Sequence, residues 1–139
     1  MGLFGFPLLL IPFAIYNIVA FLMPGVSWSA PILHVNLASG GEWTMSPGEM
    51  LVALATLMLF FETLKATRVG IRTVVDHALS LLLFVGMLIE FILVRQAASS
   101  TFFLLLVVSI IDVLGGFAVT LRSAQRDVTI DPTQISPGG

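Results

Sequence analysis

Residues 73–95, TVVDHALSLLLFVGMLIEFILVR, form one continuous apolar stretch that nevertheless carries Asp76, His77 and Glu90. A helix needs about 20 mostly apolar residues to cross the hydrocarbon of a bilayer, and this stretch has that length with its acids included. Three more stretches of the same character, at 4–23, 47–64 and 101–121, use up most of the rest of the chain. With 58% hydrophobic and 10% charged residues, against about 25% charged in soluble domains, a water-soluble fold could not hide the apolar surface. A membrane β-barrel alternates apolar and polar residues along each strand, whereas 81–85 and 102–108 are continuously apolar. The expected fold is therefore an all-α membrane protein, with four transmembrane helices in a bundle over residues 1–122. A small extracytoplasmic β-hairpin is expected at about 32–45, between the first two helices, and a disordered cytoplasmic tail over 123–139.

The first charged side chain is Glu42. The basic start of a cleaved signal peptide is missing, so residues 4–23 read as a retained helix. Pro7 and Pro12 each remove a backbone donor, which predicts a bent first helix packed among the others. After Pro24-Gly25, the alternation at 32–37, the turn residues at 38–41 and the return at 42–45 give the hairpin. Trp28 and Trp43 flank it at the level of a membrane interface. Ser46-Pro47-Gly48-Glu49 is a capping box with proline at the first helical position, so the second helix starts at Pro47. Glu62 and Lys65, three residues apart, are expected to pair at its wet end.

Lys65, Arg68 and Arg72 fall in one short connection, and Arg122 and Arg126 follow the fourth helix. The positive-inside rule places both basic flanks in the cytoplasm. Both termini are then cytoplasmic and the hairpin is outside, with Arg95 alone on the outer side. The tail carries Pro132, Pro137 and a terminal Gly pair, a composition associated with disorder.

The polar residues inside the apolar stretches are the candidate site. On the third helix Asp76, Ser80, Leu83, Met87 and Glu90 share a stripe about 80° wide. Asp76 and Glu90 stand about 21 Å apart along the axis, too far to share a proton. Asp76 is expected to pair with Arg72 at the cytoplasmic surface, with His77 beside it, and Glu90 to form the outer shoulder. On the fourth helix Asp112 falls at mid-depth, on one face with Ser109, Gly116 and Thr120. An acid inside the membrane is expected to face protein, water or a partner. Asn17, Tyr16, Ser80, His77 and Thr56 are the candidate partners for Asp112, with no basic residue at matching depth to neutralise it.

Other chemistry is excluded by what the chain lacks. There is no cysteine, hence no disulfide, thiolate nucleophile or cysteine-bound metal. No phosphate-binding glycine loop or metalloprotease helix motif is present, and His34 and His77 lie on opposite sides, so no metal site, cofactor or enzyme activity is expected. The net charge of -2 gives no reason to expect nucleic acid. The leading expectation is a small accessory or scaffolding subunit of the bacterial inner membrane. Its partners are the lipid bilayer and either further copies of itself or a larger membrane complex. The alternative is a proton- or solute-coupled carrier or channel component using Asp112, with Glu90 and Asp76 as relay positions.

Overall fold

The computed structural model describes residues 6–67 and 71–129. It is mostly helical, with α1 (Leu10–Leu22), β1 (Leu33–Asn36), β2 (Glu42–Met45), α2 (Pro47–Ala66), α3 (Ile71–Leu93) and α4 (Ser100–Thr129) in chain order. A short 3-10 turn at Arg95–Ala97 links α3 to α4. Three helical segments, Pro47–Ala66, Val74–Leu93 and Ser100–Val119, are long and apolar enough to cross a membrane.

α1 has 13 residues, or about 20 Å at 1.5 Å per residue, and is shorter than the expected 4–23. Its start explains the difference. Pro12 occupies the first turn, where its missing amide would have had no intrahelical partner anyway. The chain enters through tight turns, with Leu10 N–H donating to Pro7 O at 3.1 Å and Ile11 N–H to Leu8 O at 3.0 Å. The expected bend within helix 1 is thus the place where the helix begins.

The hairpin forms in the expected segment, with Leu33 opposite Met45, His34 opposite Thr44, Val35 opposite Trp43 and Asn36 opposite Glu42. Gly40 turns it with φ +88°, a left-handed conformation that suits glycine. α2 begins as its local sequence dictates: Ser46 Oγ accepts from Glu49 N–H at 3.2 Å and Glu49 Oε2 from Ser46 N–H at 2.9 Å. α4 continues to Thr129, so residues 123–129 of the expected disordered tail are helical. Helix-forming residues without proline or glycine follow Leu121, and an established helix propagates at little cost; residues 130–139 lie outside the described residues.

The core gathers Leu9 and Tyr16 from α1, Leu51 and Ala55 from α2, Met87 from α3, and Phe102, Leu105 and Val108 from α4. The end where the hairpin joins is closed by aromatic rings. Tyr16 stacks on Trp28 with centroids 4.5 Å apart and meets Phe102 edge-on at 5.0 Å. Trp28 is thus half-buried on Tyr16, while Trp43 is exposed. The Tyr16 hydroxyl donates to Gln96 O at 2.8 Å and lies 2.7 Å from Ser99 Oγ. Gly48 lets α2 come against this layer, its N–H donating to Trp28 O at 2.9 Å. A Cβ there would stand 2.7 Å from the same carbonyl and would collide with Thr101 Oγ1.

Candidate functional site

On α2 the buried positions Leu51, Ala55, Glu62 and Lys65 fall within about 80° of one another at 100° per residue. The face that packs Leu51 and Ala55 into the core therefore carries Glu62 and Lys65 inward. Glu62 is 3% exposed and Lys65 8%. The pair forms as expected at 3.1 Å, but buried rather than at a wet helix end.

Lys65 Nζ donates to Glu62 Oε1 at 3.1 Å, to Asp76 Oδ1 at 3.1 Å and to Phe6 O at 2.8 Å. Glu62 Oε1 also accepts the Leu8 N–H at 2.6 Å. That amide lies at the mouth of α1, where helical N–H groups lack partners of their own and a negative charge is favoured. Glu62 thus caps a helix to which it does not belong. Lys65, in the last turn of α2, stands where a cation is favoured by the same dipole effect. Asp76 is matched with Lys65 instead of the expected Arg72, whose side chain lies outside the described residues.

Asp112, 8% exposed, reaches this group from α4 and is hydrogen-bonded to Ser80 of α3. Of the five partners the sequence offered, Ser80 is the hydrogen-bonding one. Tyr16 is engaged at the hairpin end, Asn17 donates to Phe13 O and lies by Glu90, and Thr56 is turned back onto Val52 O. His77 lines the same cavity as Asp112. Its ring stacks on Phe117 with centroids 6.0 Å apart, and its Nδ1 would sit 3.0 Å from a Cβ at Gly116, so the ring needs that glycine.

Glu62, Asp76, His77, Ser80, Asp112 and Gly116, together with Ala66, enclose a cavity of about 10 Å³, the room of roughly one water. It has carboxylates on three helices and one ammonium at its edge. Of the five candidate site residues, the structure brings Asp76, His77 and Asp112 together here. Ser109 is 1% exposed in the α4 seam and does not line the cavity. Glu90 stands apart, about 21 Å along α3 from Asp76, and its Oε2 is buried without a partner among the described residues. Lys65, which was expected at a wet helix end, joins this cluster, and its hydrogen bonds go to Glu62, Asp76 and Phe6 O rather than to Asp112. Among the described residues no grouping of acids and histidines is placed to hold a metal ion.

The chain matches no protein-family model, no curated protein and no solved structure. Its own geometry therefore carries the functional reading.

Glu62 and Lys65 are the site residues that sequence reasoning left outside the site. Spacing three explained them as a pair, and a position near a helix end suggested water. The available signal was that they continue the face of Leu51 and Ala55.

Proposed function

We propose that this is a small polytopic protein of the bacterial inner membrane that crosses it four times with both termini cytoplasmic. In this reading it serves as an accessory or scaffolding subunit, bound to further copies of itself or to a larger membrane complex. The three span-length helices support the membrane setting, and α1 completes the fourth crossing with the turns that lead into it. Orientation follows the basic residues. In the sequence Arg68 and Arg72 precede the third span and Arg122 and Arg126 follow the fourth, so in this reading they share the side that the positive-inside rule assigns to the cytoplasm, against Arg95 on the other.

The observation that carries the scaffolding reading is that the bundle is tied at both ends across long sequence distances. At one end Lys65 and Glu62 hold the backbone of Phe6 and Leu8; at the other Tyr16 holds Gln96 and Ser99. A carrier rocks one group of helices against another around a central site, and such ties oppose that motion. The cavity at Asp112 also has room for a water rather than a solute. Outward, α3 presents large apolar side chains such as Leu82, Ile92 and Leu93, 66–75% exposed, a surface suited to lipid and to other membrane helices.

The test is extraction from the native membrane into nanodiscs, followed by native mass spectrometry. The reading predicts a defined assembly heavier than one 15.0 kDa chain. A monomer that moves solute in liposomes would contradict it.

A further inference from the structure

The cluster at the start of α1 contains more acid than its base can serve. Glu62, Asp76 and Asp112 are three carboxylates, and Lys65 is their one ammonium among the described residues. An ammonium has three N–H donors, and Lys65 directs them at Glu62, Asp76 and the Phe6 carbonyl. Those contacts leave no donor of Lys65 for Asp112. The Ser80 hydroxyl provides one hydrogen to a carboxylate that can accept about four. Glu62 and Asp76 already exceed Lys65 by one negative charge, and an ionised Asp112 would make the surplus two, in a site where ions are poorly solvated. Among the described residues, the other titratable group lining the cavity is His77, whose ring lies against Phe117 and Gly116. From α1 the cluster receives backbone atoms of residues 6 and 8.

We propose that Asp112 and the water-sized cavity in front of it form a reversible proton-binding site. The proton comes from a hydronium ion at the cavity: an O–H bond forms on an Asp112 carboxylate oxygen as one breaks in the hydronium, leaving water. The cluster charge changes by one unit, with Lys65 remaining on Glu62 and Asp76 throughout. The inference is independent of the scaffolding reading, because binding a proton requires no partner and no rocking of helices. Glu90 takes no part in it.

The experiment is infrared difference spectroscopy of the full-length protein in nanodiscs, between alkaline buffer and buffer at about pH 6, above the range in which solvent-exposed carboxylates take up protons. A carboxylic-acid C=O band is expected to appear on acidification in the wild type and in Glu90→Gln, and to be missing in Asp112→Asn. In Ser80→Ala the band is expected to persist at higher frequency, since its hydrogen bond is gone; this variant serves as the test if Asp112→Asn does not fold. Absence of a band in the wild type overturns the proposal. So does a band that survives Asp112→Asn, one that vanishes in Glu90→Gln, or one that is unmoved in Ser80→Ala.

Discussion

The two ends of the bundle solve the same problem, holding α1 against the other helices, with opposite chemistry. At the hairpin end the polar groups are neutral and each is matched locally: Tyr16 is fully buried, but its hydroxyl meets Gln96 O and Ser99 while its ring stacks on Trp28. At the Lys65 end one ammonium is shared by two carboxylates and a carbonyl. The difference lies in what is left behind when a piece is removed. A lost neutral hydrogen bond costs about 1 kcal/mol plus the desolvation of any orphaned partner. A lost member of a buried ion group strands the remaining charges, at about 3–5 kcal/mol. The Lys65 end is thus the more fragile.

The largest effect should therefore come from Lys65→Met, which leaves Glu62 and Asp76 without their cation. A loss of about 3–5 kcal/mol is expected, read by denaturant unfolding in detergent micelles. Combining Lys65→Met with Glu62→Gln and Asp76→Asn should recover most of it, and a triple variant as unstable as the single one would break the comparison. At the hairpin end Gly48→Ala comes next, at about 1–3 kcal/mol for overpacking, because the added Cβ meets the Trp28 carbonyl, which is backbone and cannot swing away. Adding Thr101→Ser should not rescue it. Tyr16→Phe keeps the stacking and loses the hydroxyl, for about 1–2 kcal/mol. If it proved as damaging as Lys65→Met, the two ends would not differ in kind. Smallest is His34→Ala in the hairpin: its 2.9 Å pair with Glu42 is more than half exposed on both sides, and exposed pairs contribute little, so no change in the unfolding midpoint is expected.

The start of α2 was legible because its signal is local: four consecutive residues contain both halves of the capping box. The hairpin was legible for the same reason, with turn residues between two alternating runs. The start of α1 was not. A proline in a long apolar run reads as a kink, and nothing nearby says that Pro12 will sit in a first turn whose entry is held by Glu62 of another helix. Lys65 was misplaced in the same way. Its partners at residues 6 and 76 are 59 and 11 positions away, and a lysine near a helix end is ordinarily solvated, with its stem along the apolar surface. The stripe on α3 correctly put Asp76 and Ser80 on one face, but only the packing of three helices shows that Asp112 arrives opposite Ser80. Glu90 shares the stripe and not the site, since a common face says nothing of depth.

Lys65 is the one lysine in the chain, so a single reaction can test whether it is turned into the bundle. The folded protein in nanodiscs is treated with a water-soluble amine-reactive reagent, and the peptide carrying Lys65 is quantified by mass spectrometry, separately from the terminal amine. Buried on Glu62, Asp76 and Phe6, Lys65 should remain unmodified at neutral pH and become reactive when the protein is unfolded in denaturant. Modification in the folded protein as rapid as in the unfolded chain would place Lys65 in water and contradict the charged cluster.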